Sequence, residues 1–303
     1  MSKKMDSIYE IAKIAKVSSA TVSRVINGKE GVGDDTRKKI LQILNDRNFK
    51  PSSDYSYNIM LISLDRLPKD EEGFRIYCNQ RGISAGIFLN LSEEDIYILN
   101  YSNIIPIATV GTKLENSPFY SIKSENEQGG YDATKFLIDM GHENIAIMIS
   151  KLNVQDHKER YEGYIRAHKE AGLTVKKELI FDYTSFTDND VTFGLENLFD
   201  DSSVIPTAAF IVDDYEVLRL SSIFRTTNVS IPEDLSIIGF DDYYFAQHLN
   251  PPLTTVRQPL FELGHQAALA VLNEAIGGDF PIDHNIVLPT RLISRKSVKT
   301  PKK

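Results

Sequence analysis

The sequence is most informative first in what it lacks. Its 303 residues contain one cysteine, Cys78, and no tryptophan. A single thiol excludes a disulfide framework and any four-cysteine zinc site, and it suits a reducing compartment. No apolar run approaches the roughly 18 residues of a membrane span. Basic residues near the N-terminus (MSKKMDSIYE) have no apolar segment behind them, so a secretion signal is not expected. No phosphate-cradling glycine loop and no G-x-S-x-G elbow is present. The six histidines (His142, His157, His168, His248, His265 and His284) are scattered without metal-ligand spacing. Cys78 has no histidine near it in sequence, which favours an idle thiol over a nucleophile. Enzyme chemistry, a bound metal and a cofactor are therefore not expected, and the chain reads as a cytoplasmic protein.

The charge is unevenly spread. Residues 1–50 hold 11 Lys+Arg against 6 Asp+Glu, whereas the remainder holds 23 against 36. A basic head on an acidic body points to a nucleic-acid contact at one end, because neutralising phosphates requires local positive charge.

The first fifty residues are helical and punctuated. Ser7-Ile8-Tyr9-Glu10 has the form of a capping box, and Ile8, Ile11, Ala12 and Ala15 make one apolar stripe. After a turn near Lys16-Val17, Ser18 is placed to cap a second helix whose inward residues are Val22, Val25 and Ile26. Asn27-Gly28 ends that helix, since both residues tolerate the left-handed conformation. Asp34-Asp35 opens a third helix with Ile40, Ile43 and Leu44 on its apolar face. Three short helices with a tight turn between the first two form a helix-turn-helix.

The strings SIYEIAKIAKVSSATVSRVINGKEGV and DDTRKKILQILNDRNFKPS closely resemble the DNA-binding headpiece of the LacI/GalR family of bacterial transcription regulators. The resemblance implies that the helix from Ser18 to Asn27 enters the major groove of a double-stranded operator. Ser19 and Ala20 would then stand where family members vary to choose their operator. Thr21 and Arg24 share the exposed face, and Arg24 could contact guanine in bidentate fashion. Tyr9, Asn27 and the amide of Ser18 would contact phosphates.

Beyond Tyr57 short apolar runs alternate with amphipathic stretches, which predicts an α/β fold with parallel sheets. Strands are expected at Ile59–Leu64, Gly86–Asn90, Ile105–Val110, Ile145–Ser150, Ala208–Val212 and Leu235–Gly239, with a last strand near Leu288–Ile293. Helices are expected around Glu71–Arg81, Gln128–Met140, Lys158–Ala171, Val191–Phe199, Tyr215–Arg225 and Phe261–Ile276. The strings at 125–130, 140–146, 160–164, 237–242 and 251–258 again resemble the family. They imply a periplasmic-binding-protein-like, two-lobed, doubly wound sensor with a small-molecule effector in its cleft. Carried over, the cleft residues are Arg160, Asp213, Asp241 and Gln258, with Tyr183 at a position often aromatic. Such a set suits a sugar or sugar phosphate: carboxylates accept from hydroxyls, arginine donates in a fixed fork, and an aromatic face stacks on a ring.

The expected organisation is a headpiece at 1–50, a linker at 51–57 and a sensor at 58–303. The first lobe would span about 58–124 and 259–287, the second about 125–258 and 288–303. The chain is shorter than the family pattern after the headpiece. The hinge helix and the first strand and helix of the sensor are missing from it, so Ile59–Leu64 is expected to shift into the vacated internal slot of the first sheet. The reading is a homodimeric repressor, with a sensor or solute-binding protein carrying a vestigial headpiece as the alternative.

Overall fold

The computed structural model describes residues 8–26, 31–46, 58–112, 117–149, 154–182, 204–226, 229–277 and 282–301. They belong to two compact units, residues 1–67 and 68–303.

In the first unit, α1 (Ile8–Ala15), α2 (Ser19–Ile26) and α3 (Asp34–Asp46) surround one small core. That core is built from Ile11, Ala12, Ala15, Val22, Val25, Ile40 and Leu44, the apolar positions that the spacing singles out. The turn between α1 and α2 is closed by Lys16 in the left-handed region (φ 59°) and by the Val17 amide donating to the Ala12 carbonyl at 3.0 Å. Ser18 caps α2: its hydroxyl accepts from the Thr21 amide at 3.1 Å. Lys39 of α3 donates to the Ala15 carbonyl at 3.0 Å, placing a cation on the negative end of α1. Ser7 and Asn27-Gly28 lie outside the described residues.

The second unit contains two sheets. The first has four parallel strands in the order β1 (Gly86–Leu89), β2 (Ile107–Val110), β3 (Tyr120–Ser124) and β9 (Asn285–Leu288). The second has six strands in the order β10 (Arg291–Ile293), β8 (Thr254–Arg257), β7 (Ser236–Asp241), β6 (Ala208–Ile211), β4 (Ile145–Ile149) and β5 (Ile180–Asp182). Only β10 runs antiparallel to its neighbour there. Strands β4 and β6 are buried along their whole length, the signature of a parallel sheet covered on both faces. The chain passes between the sheets three times: after β3, after β8 and between β9 and β10.

Helices α4 (Glu71–Arg81), α5 (Asn126–Asp139), α6 (Gln155–Glu170), α7 (Asp214–Thr226) and α8 (Leu260–Ala275) complete the unit. Helix α8 packs its Leu263, Ala267, Ala270 and Val271 against Tyr120 and Ile122 of the first sheet. Helices α5 and α6 approach much more closely. A methyl group on Gly130 would lie 2.2 Å from the Arg160 carbonyl oxygen, and one on Gly163 would lie 2.1 Å from that of Glu127. Backbone therefore meets backbone at this crossing, as only glycine permits.

Five of the expected helices are present, and the expected helix Val191–Phe199 lies outside the described residues. One expectation is overturned. Ile59–Leu64 is not a strand and does not fill a sheet slot; Ile59 is 91% and Leu61 94% exposed, and Leu64–Arg66 forms a 3-10 turn. An apolar run becomes a strand only where a neighbour supplies ladder partners, and among the described residues β1 is the edge of its sheet, paired with β2 alone.

Two substitutions test this packing. Ser18→Ala should cost the headpiece about 1 kcal/mol of stability in urea unfolding. Gly163→Ala should cost the sensor about 1–3 kcal/mol or more, because helix backbones must separate; an unchanged midpoint would refute the close crossing.

Candidate functional site

The first candidate surface is the face of α2. Ser18 and Arg24 are exposed there, and Ser19 and Thr21 are half-buried. The Thr21 and Ser18 hydroxyls lie 2.8 Å apart, so the Thr21 hydroxyl is tied to the helix cap. Arg24 passes close over Gly31: a methyl on that residue would lie 3.0 Å from the arginine NH1. Gly31, with φ +93°, leaves room for the Arg24 side chain, a constraint not visible in the sequence. Tyr9 lies on α1 and Ala20 on α2, and Asn27 is outside the described residues.

The second candidate surface lies at the carboxyl ends of β6, β7 and β8, where open α/β sheets take their ligands. Asp213 follows β6, Asp241 closes β7, Gln258 follows β8, and Arg160 comes from α6. The structure brings these four together; Tyr183 lies outside the described residues. Arg160 is 3% exposed, and its guanidinium sits 3.7 Å from the centre of the Phe240 ring. Its Nε donates to Asn126 Oδ1 at 3.1 Å and its NH1 to the Val212 carbonyl at 2.5 Å, while NH2 lies 3.4 Å from Asp241 Oδ1. Gln258 donates to Asp241 and accepts from the Ser124 hydroxyl at 2.8 Å.

Asn126 donates in turn to Asp156 at 2.9 Å. Neither residue was singled out from the sequence, nor was Tyr243, whose phenol is raised in pKa by burial and by the nearby Asp241 and Asp213. A repeated triplet was the available signal. Asp213-Asp214-Tyr215 and Asp241-Asp242-Tyr243 both lie at the carboxyl ends of neighbouring parallel strands.

The two lobes touch directly around this cleft. Lys123 of β3 pairs with Glu159 of α6 at 2.6 Å, and Ser92 bridges to Val154. A methyl on Gly111, which follows β2, would lie 3.0 Å from the Asp156 carboxylate. Among the described residues no group of three His, Cys, Asp or Glu side chains is placed to hold a metal ion.

The carboxylates are crowded and dry, and burial shifts them accordingly. Burial pushes Asp214 up to about 8, although it accepts from the Thr255 hydroxyl and the Tyr243 amide. Burial raises Asp241 to about 7 and Asp156 to about 6, in each case against the pull of Arg160. Burial also raises Asp213.

A pH dependence of stability follows. Asp214 and Asp241 hold protons in the folded state at pH values where the unfolded chain has released them. Stability should therefore rise as pH falls from about 8 to about 6.5. Below that, buried His142 and His168, whose pKa burial lowers, act in the opposite direction. Thermal midpoints measured over this range should show the rise, and Asp214→Asn should flatten part of it. A flat wild-type profile would refute the buried-acid assignment.

Comparison with known proteins places this geometry. Residues 7–52 match the family model of bacterial regulatory proteins of the lacI family, and residues 134–298, more than half of the chain, match the periplasmic binding protein-like domain. The chain is 29% identical to the HTH-type transcriptional regulator DegA of Bacillus subtilis, over 96% of this chain and 97% of that protein. It is also 29% identical to the HTH-type transcriptional repressor PurR of Pasteurella multocida, over 98% and 99%. The structure of a complex of the transcriptional regulator CelR with cellobiose superposes with a TM-score of 0.64 at 24% identity, over 96% of this chain and 99% of that one. With a helix-turn-helix headpiece followed by a two-lobed sensor, the chain belongs to the LacI family of bacterial regulatory proteins, a family of transcription regulators and not of enzymes.

Proposed function

We propose that this chain is a cytoplasmic transcriptional repressor that binds a pseudo-palindromic operator as a homodimer and responds to a small-molecule effector held between the sensor lobes. The headpiece is assigned to residues 1–50, the linker to 51–57 and the sensor to 58–303. The observation that carries the reading is the capped α2, standing one tight turn after α1 with Arg24 exposed, in a unit whose residues 1–50 are the basic part of an otherwise acidic chain. Ser19, Ala20, Thr21 and Arg24 are assigned to base reading. Tyr9, Asn27 and the Ser18 amide are assigned to phosphates. The tie between Thr21 and Ser18 leaves the Thr21 methyl as its reading group, which suits contact with a thymine methyl.

Arg160, Asp213, Asp241 and Gln258, with Tyr183, are assigned to the effector. The cleft supports that role because its polar groups converge from four separate elements at the ligand-binding end of the sheet. The cellobiose complex of CelR, which shares the fold, supports a sugar-sized occupant. An effector contacting both lobes changes the free energy of one relative lobe placement over another, and so changes how two headpieces are presented to DNA. Among the described residues no helix is long and apolar enough to cross a membrane.

Fluorescence anisotropy with a family-type operator and a scrambled duplex tests the reading. Selective binding should weaken steeply with salt, at a log–log slope of about −0.9 per phosphate contact. Arg24→Ala should cost about 1–3 kcal/mol on the operator and less on the scrambled duplex. Equal losses on both would make Arg24 a phosphate contact. Equal weak binding of both duplexes by the wild type would leave a sensor with a vestigial headpiece.

A further inference from the structure

Helix α8 is apolar on two opposite faces. Its inner face, Leu263, Ala267, Ala270 and Val271, is buried on the first sheet. A helix lying on a sheet ordinarily turns charged residues to the other side. Here Phe261, His265, Ala268, Leu269, Leu272 and Ile276 stand opposite the buried face, at the three- and four-residue spacing of a helix–helix seam. Phe261 is 78%, Leu269 45% and Ile276 62% exposed. From Leu260 to Ile276 the charged residues are Glu262 and Glu274, with no lysine or arginine. The apolar surface continues onto β1. Its exposed Ile87 and Leu89 pair in register with Ala108 and Val110, which lie on the sheet face that α8 covers.

The symmetry of this seam says what fits it. Its six positions are balanced about a point between Ala268 and Leu269. When a second α8 lies antiparallel across the first, Phe261 meets the partner's Ile276, His265 the partner's Leu272, and Ala268 the partner's Leu269. Glu262 then falls against the partner's Ala275, so no acid opposes an acid. Parallel pairing would instead set Glu262 and His265 each against its own copy. Ala268 at the centre is small enough to let the two helix axes approach closely. A contact between identical chains about a two-fold axis requires such self-complementarity, because every residue pair occurs in it twice. The 16-residue helix is about 24 Å long. A pair of that length falls short of the roughly 800 Å² per partner of a stable interface, and the adjoining Ile87 and Leu89 widen the patch.

We infer that α8 and the adjoining edge of β1 form the face on which two copies of this chain associate, with their α8 helices antiparallel across a two-fold axis near Ala268 and Leu269. The homodimer itself belongs to the proposed function, on which the inference rests; the face and the helix register go beyond it.

Sedimentation equilibrium of the full chain tests it. Leu269→Glu should raise the dimer dissociation constant at least about tenfold, with an unchanged circular-dichroism spectrum. Phe261→Glu and Ile276→Lys should each weaken the dimer. The variant carrying both should recover most of the loss, because each new glutamate then meets a lysine across the axis, a recovery that damage to the fold would not give. A wild-type dimer that tolerates Leu269→Glu, or a double variant no tighter than the single ones, would overturn the face and leave the homodimer standing. A wild-type chain that stays monomeric at micromolar concentration, with and without operator, would remove the homodimer reading and the inference with it.

Discussion

The arginine at the centre of the sensor cleft depends on one backbone contact, the crossing of α5 and α6 at Gly130 and Gly163. Because the helices meet without intervening side chains, Arg160 enters the interior from α6 beside the first residue of α5, Asn126. From there its fork spans the end of β6 and the end of β7. A thicker crossing would move the arginine away from Val212 and Asp241 together, leaving a buried carboxylate without its cation. Packing and electrostatics are thus one constraint, and the choice of glycine at two helix positions is explained by a charge several residues away.

That charge arrangement runs against stability. Four buried or half-buried aspartates, three at the ends of two strands and Asp156 in the first turn of α6, are held by one arginine, side-chain amides, a hydroxyl and backbone amides, and burial raises all four in pKa. A protein selected only for stability would place apolar residues there, as it does along β4 and β6. Perturbed groups gathered in a cleft are the expected mark of a binding site, where a ligand supplies the donors that the protein withholds.

The headpiece was the most legible part of the sequence, because its signals are local. The caps, the apolar spacing and the turn all act within a few residues, and Ser18, Ile40 and Leu44 stand where the pattern puts them. The α/β alternation of the sensor was equally plain in strands such as Ile145–Ile149. Short strands such as β3, Tyr120-Ser-Ile-Lys-Ser124, were missed because polar residues interrupt the apolar run and the neighbouring strands define them. Ile59–Leu64 failed for the opposite reason, having strand composition without a partner. In the cleft, Arg160 was visible through a family string. Its partner Asn126 lies 34 residues away and meets it only at the helix crossing, while Asp156, one turn earlier on the same helix, is joined to the group through Asn126.

The three passages between the sheets also bear on how such a protein can be altered by recombination. The first sheet is assembled from two stretches of chain separated by nearly all of the second, and β10 returns to the second sheet after β9 has closed the first. Neither lobe is a continuous stretch of gene. A crossover event can therefore exchange the N-terminal unit cleanly, but it cannot exchange one lobe without cutting the other. New DNA specificity can be acquired as a single module, whereas new ligand specificity must arise by substitution within the lobes already present.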